Sequence, residues 1–208
     1  MRRRWLAAAV VVGAAAGSAL SVVHASGSSA PTAPPSSANV SWPAGAKRAP
    51  DFRLADAGGA PISLARFLGR PVIVTFIDPA CTSLCPLEAK VLEDVVARSA
   101  PSRRPAIVAV SVNPWAQSRA VLAGDAREWR LTPDWHWAIG PRRRLAPVWR
   151  RYGVGVLDRK KVVGKIVVHE ISHTEAAVVV DAHGFQRALY VYPFRPQDVE
   201  RGLARLGT

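Results

Sequence analysis

One stretch near the middle of the chain constrains the fold more than any other. Pro71-Val-Ile-Val-Thr-Phe-Ile77 is an unbroken run dominated by β-forming residues, and it leads into a short loop, Asp78–Cys85. Beyond that loop Leu87, Val91, Leu92, Val95 and Val96 recur at helical spacing, with Pro86 suited to the first turn of the helix. After a break at Arg103–Pro105 comes a second apolar run, Ala106-Ile-Val-Ala-Val-Ser-Val112. Strand, helix and strand in that order make a crossover, which pairs the strands in parallel and packs the helix on one face. Apolar runs without alternation mark strands covered on both faces. The chain is therefore an α/β protein.

The flanking segments fill in the rest of the sheet. Asp51–Leu54 and Pro61–Leu64 read as short strands around the turn Asp56-Ala-Gly-Gly59. Helices are expected over Gln117–Ala123 and Pro141–Tyr152, the second stopped by Gly153, while Trp129–Trp137 shows no clear pattern. Between Val154 and His169 the sequence suggests a strand pair around Asp158–Lys161. Ala176–Val180 and Phe185–Tyr192 form a hairpin about the turn Asp181–Gly184, and Pro196–Leu206 is an amphipathic helix. The expected architecture is a mixed central sheet flanked by helices, with a hairpin insertion before the C-terminal strands.

Composition bears on where such a domain works. The 208 residues carry a formal net charge of +13, which would suit a nucleic-acid binder. Three of those charges, Arg2, Arg3 and Arg4, stand directly before the apolar run Trp5–Val23. That layout is an export signal, and the run is also long enough for one membrane-spanning helix with the arginines inside. Val23-His24-Ala25 is the best cleavage pattern available. Residues 1–25 thus read as a signal peptide or N-terminal membrane anchor, and 26–48, rich in Ser, Ala and Pro, as a disordered linker. The folded domain is expected over 49–208. It faces the outside, anchored to the cell membrane or secreted if the leader is cleaved. Its basic surface then meets anionic headgroups or an acidic partner, and nucleic acid is not a partner.

Chemistry concentrates in Asp78-Pro-Ala-Cys81-Thr-Ser-Leu-Cys85-Pro86, which holds both cysteines of the chain. The amides of a first helical turn stabilise a thiolate. Four-residue spacing puts both thiols on one helix face if the turn has begun by Cys81. Four uses compete. A structural disulfide would close only a short loop and gain little from it. A dithiol oxidoreductase would prefer one residue fewer between the sulfurs, and a structural zinc site would want four ligands. Two thiolates with one imidazole suit Cu(I) and tolerate Cu(II).

A histidine for that last set must come from another element. His24 lies in the leader, His183 in an exposed turn, and His136 in a packing position between Trp135 and Trp137. His169 and His173 remain, in a loop entering the Ala176–Val180 strand, and spacing does not choose between them. Asp78 reads equally as a proton acceptor in thiol exchange or as a cap on the loop amides. The tryptophans are read as core or groove-lining, with one near Trp135–Trp137 available as a docking anchor.

From about Pro50 to Leu206 the sequence resembles the SCO/SenC family of copper proteins. The resemblance rests on Phe52-x-Leu54…Asp56-x-x-Gly59, on Val72–Ile77 leading into Cys81-x-x-x-Cys85-Pro86, on Val108–Val112, on the insertion after Tyr152-Gly153, and on His173-Thr…Val178-Val-Val-Asp181-x-x-Gly184. It implies a thioredoxin-like fold and one copper ion, Cu(I) or Cu(II), held by Cys81, Cys85 and His173. It also implies a membrane tether and a partner, the copper-bearing subunit of cytochrome c oxidase or another acceptor. Copper would be delivered to that partner, or the partner's cysteines reduced, with a thiol reductant maintaining Cys81 and Cys85. A cell-envelope thiol–disulfide oxidoreductase is the alternative, with Cys81 and Cys85 as its catalytic pair. Two departures stand out: Thr82-Ser83 replaces Pro-Asp inside the cysteine loop, and Asn113–Gln117 lacks the usual carboxylates. Both are expected to strip negative charge from the site. The related peroxidase branch is disfavoured, since Asp78 stands where its signature threonine would be.

Overall fold

The computed structural model describes residues 38–207. The leader or anchor expected over 1–25 and the first part of the linker lie outside the described residues. In chain order the elements are β1 (Val40–Ser41), β2 (Leu54–Ala55), β3 (Pro61–Ile62), β4 (Val72–Ile77), α1 (Leu84–Arg98), β5 (Ala106–Ser111) and α2 (Arg119–Glu128). Then follow β6 (Trp135–Ala138), α3 (Arg142–Tyr152), β7 (Val156–Val163), β8 (Ile166–His173), β9 (Ala176–Val180), β10 (Gln186–Val191) and α4 (Pro196–Ala204). Among the described residues no helix is long and apolar enough to cross a membrane.

Six strands form the central sheet in the order β1-β10-β9-β4-β5-β6. As the crossover requires, β4 and β5 run parallel, in register from Val72 opposite Ala106 to Ile77 opposite Ser111. β6 continues the parallel set, whereas β9 pairs antiparallel with the other edge of β4. Every residue of β4, β5 and β9 is buried, because both faces of the sheet are covered. Val74 and Phe76 pack with Leu145, Val148 and Trp149 of α3. Ile73 and Ile77 pack on the opposite face with Ala89, Leu92 and Val95 of α1. This is the expected thioredoxin-like fold, with the β7–β8 ribbon inserted between α3 and β9.

Four details depart from the sequence reading. The last part of the expected linker, 38–48, is built into the fold: β1 pairs with β10, and the Gln186 amide donates to the Lys47 carbonyl at 2.7 Å. The second helix starts at Arg119 and runs to Glu128, because the Ser118 side chain caps it by accepting from the Val121 amide. The unpatterned stretch before Pro141 contains β6, whose Trp135 and Trp137 are buried, so neither is a docking anchor. Among the tryptophans of the described residues Trp115 is the exposed one, at 46%. The strand pair turns at Gly164-Lys165 and not around Asp158–Lys161, since Gly164 takes φ +62° without steric cost. β8 therefore extends through His173, and both His169 and His173 sit on a strand where a loop was expected.

Candidate functional site

The site forms where the carboxyl end of β4 meets the start of α1. Asp78 shapes the connecting loop: its carboxylate accepts from the Ala80 amide at 2.8 Å and from Asn113 Nδ2 at 2.9 Å, and its carbonyl accepts from the Cys81 amide. The side chain is thus engaged in holding the loop. α1 begins at Leu84, so the first turn has not begun by Cys81 and the condition for both thiols to share a helix face is not met. Ser83, at φ −116° and ψ −85°, is not helical and offers no side-chain cap. Cys81 Sγ takes over part of that duty, accepting from the Cys85 amide at 3.4 Å. Pro86 falls in the first turn as expected.

The two cysteines are free thiols in unequal surroundings. Cys85 is fully buried and joins the core beneath α1, while Cys81 is partly exposed. Cys81 is pulled down from the ordinary thiol range to about 4, chiefly because the Cys85 thiol donates to it, with the Cys85 and Ser83 amides assisting against burial. Cys85 moves the other way, above the thiol range, because its proton is committed to Cys81 and its sulfur is desolvated. One proton therefore serves two sulfurs. Cys81 is the thiolate and Cys85 the thiol.

β8 delivers the imidazole. His173 Nδ1 lies 3.1 Å from the Thr174 carbonyl, an acceptor, so Nδ1 carries the proton and Nε2 keeps its lone pair. That bare nitrogen stands 3.7 Å from Cys85 Sγ. Burial lowers the His173 pKa and favours the neutral ring. His169 is on the same strand face, but four residues along a strand is about 13 Å. Its ring stacks on Trp115 at 3.7 Å, and its Nδ1 bonds Asp158 at 2.9 Å. Of the other histidines, His136 packs 4.9 Å from Phe67 and His183 is exposed in its turn, both as expected.

A carboxylate that the sequence reading passed over forms a tight group with both sulfurs, whereas His173 Nε2 approaches Cys85 and falls outside that group. Donor atoms of Cys81, Cys85 and Glu175 all lie within 4.8 Å of one another. Glu175 Oε1 is 3.9 Å from Cys85 Sγ, and burial followed by the Cys81 charge raises its pKa. The signal was its place two residues after His173, which returns a side chain to the same side of an extended segment. Beneath it, Glu88 of α1 is buried with Thr75 donating to it at 2.5 Å, and burial pushes its pKa up to about 8. Asp125 of α2 is raised to about 6, first by burial, with Glu128, Asp78 and Cys81 adding negative charge. The expected stripping of negative charge from the loop is partly offset from other elements by Glu175 and Asp125, while Glu88 holds its proton up to about 8 and adds no charge below that.

A thiolate, a thiol held by it and a neutral imidazole facing the thiol can do two things. They can close around one soft metal ion, or exchange a disulfide with a partner. Fold and site together define a thioredoxin-fold dithiol protein. The sequence profile of the SCO1/SenC family matches residues 43–207, and the chain belongs to that family. Among solved structures, copper-bound ScoI of Arabidopsis thaliana superposes with TM-score 0.64 at 16% identity, over 76% of this chain and 96% of that one. Copper-bound ScoI of Bradyrhizobium japonicum gives 0.62 at 18%, over 76% and 99%. The thioredoxin domain of a thiol-disulfide oxidoreductase from Bacteroides vulgatus gives 0.56 at 19%, over 78% and 96%. At these identities the likeness is one of fold. No curated protein matches the sequence significantly.

Proposed function

We propose that this protein is an extracytoplasmic copper carrier, tethered through residues 1–25. One copper ion is held by Cys81, Cys85 and His173, then passed to the binuclear copper site of cytochrome c oxidase or a similar thiol-bearing acceptor. The observation that carries the reading is His173: its Nδ1 is tied to a backbone carbonyl, and its bare Nε2 stands 3.7 Å from Cys85 Sγ. Two sulfurs and a neutral imidazole form the soft donor set that Cu(I) prefers. Membership of the SCO1/SenC family and the copper-bound ScoI relatives support it. Asp78 acts by holding the loop that positions Cys81. A bound ion leaves by ligand exchange, and partly exposed Cys81 is the sulfur an acceptor thiol can approach.

Anaerobic titration of the reduced full chain with copper tests this. The expected result is one ion per chain with sulfur-to-copper charge-transfer absorption, and affinity at least about tenfold weaker in His173→Ala. Absence of stoichiometric uptake, or uptake unchanged in His173→Ala, overturns it.

A second reading rests on the Cys81 thiolate. Its pKa near 4 keeps it nucleophilic across the physiological range, and the Bacteroides vulgatus oxidoreductase domain shares the fold. Here Cys81 attacks a partner disulfide, breaking that bond and releasing one thiolate, which takes up a proton. Cys85 loses its proton and resolves the mixed disulfide, releasing the second thiolate. Two electrons pass to the partner, and a thiol reductant restores the pair. Trapping a mixed disulfide on Cys81 in Cys85→Ser marks this route.

A further inference from the structure

The cysteine–histidine set described above accounts for three donors, and the pocket holds a fourth. Glu175 follows His173 by two residues at the junction of β8 and β9. Its backbone is pinned: the Glu175 carbonyl accepts from the Tyr192 amide at 3.0 Å, and the Thr174 amide before it donates to the Gly155 carbonyl at 3.0 Å. The side chain reaches inward, with Oε1 3.9 Å from Cys85 Sγ and in one group with both sulfurs. Its other oxygen, Oε2, is buried without a hydrogen-bond partner. A buried carboxylate oxygen with no donor is costly unless something positive satisfies it. No arginine or lysine forms an ion pair with it among the described residues.

We infer that Glu175 is an oxygen ligand that enters the coordination sphere when the bound copper is cupric. The inference rests on the copper-site reading and extends it to the ion's oxidation state. Cu(I) is satisfied by two or three soft donors, here the sulfurs and the imidazole. Cu(II) favours four donors in a tetragonal arrangement and accepts hard oxygen. With Glu175 the pocket offers two sulfurs, one nitrogen and one carboxylate oxygen, and three negative charges against two positive ones. The carboxylate stabilises the oxidised ion over the reduced one, so a single pocket retains copper in both states and releases it more readily once reduced.

The test compares wild type with Glu175→Gln, which preserves shape and removes the charge, in the reduced, detergent-solubilised full chain. Cuprous affinity is read by competition with a colorimetric chelator. Cupric binding is read, anaerobically with less than one equivalent of Cu(II), by electron paramagnetic resonance and the sulfur-to-copper absorption. The expected result is cuprous affinity within about threefold of wild type, cupric affinity lower by about tenfold or more, and altered cupric spectra in the variant. Unchanged cupric affinity and spectra overturn the inference and leave the three-donor site standing. So does an equal loss for both ions, which marks a structural role, and so does wild type taking up Cu(I) alone. If wild type binds neither ion, the copper reading fails and the Glu175 inference with it.

Discussion

Two arms meet at the site, and they are built differently. The cysteine arm, β4 with the loop and α1, is buried along its whole strand, with Phe76 and Ile73 inaccessible to solvent. Its loop is cross-braced by Asp78 and Asn113. The histidine arm, the β7–β8 ribbon, projects from the sheet with Val162 73% and Ile166 67% exposed. It is held at its base by the Trp115–His169 stack, the Asp158–Arg142 ion pair at 3.6 Å and the Thr174–Gly155 bond. The thiols are therefore fixed by the core, while the imidazole is fixed by a few contacts at the foot of an exposed ribbon. Three of the five lysines of the chain, Lys160, Lys161 and Lys165, ride on that ribbon.

If the contrast holds, perturbations of equal chemical size should act very unequally on the two arms. The largest effect is expected from Phe76→Ala, which removes a buried ring 5.5 Å from Tyr152 and should lower unfolding free energy by about 3–5 kcal/mol in urea denaturation. Next is the pH dependence carried by Glu88. Its folded pKa of about 8 lies above the ordinary 4.5, so between those values the native state holds a proton that the unfolded chain has lost. Stability should fall as pH rises from about 4.5 to about 8, with a slope approaching 1.4 kcal/mol per pH unit, and Glu88→Gln should flatten it. A wild-type curve without that decline would count against a buried, proton-holding Glu88. On the ribbon, Gly164→Ala places a side chain at φ +62° and should cost about 1 kcal/mol. Faster amide exchange confined to β7 and β8 is its signature. Val162→Ser, at an exposed position, should change stability by no more than about 0.5 kcal/mol. A loss from Val162→Ser comparable to that from Phe76→Ala would show that the ribbon is covered in solution and erase the distinction.

The same contrast explains what could be read in advance. Buried runs such as Val72–Ile77 and Ala106–Val112 have no polar face, so their strand character and parallel pairing were legible from residue type alone. The ribbon was legible as a strand pair but not in register, because Lys160-Lys161-Val162-Val163 and Lys165-Ile166-Val167-Val168 do not alternate and no buried face selects a turn. β6 was hidden for another reason: in Trp135-His136-Trp137 both faces are packed, by α1-side core residues and by Phe67. The site divides likewise. Cys81 and Cys85 declare themselves by spacing, whereas nothing in the spacing singles out Glu175, whose partners lie on other elements.

By itself, then, the sequence determined the crossover, the two thiols at its loop and the histidine pair from which a nitrogen donor could come. Those are local facts, set by apolar periodicity and by residues close along the chain. The tertiary structure alone decided that His173 faces Cys85 while His169 stacks on Trp115, that Cys81 holds the charge and Cys85 the proton, and that Glu175 joins the two sulfurs with a protonated Glu88 buried beneath. Each of these depends on groups far apart in the chain being brought within a few ångströms in a place from which water is excluded. Proximity and desolvation of that kind arise only when β8, β9 and α1 converge at the end of the sheet.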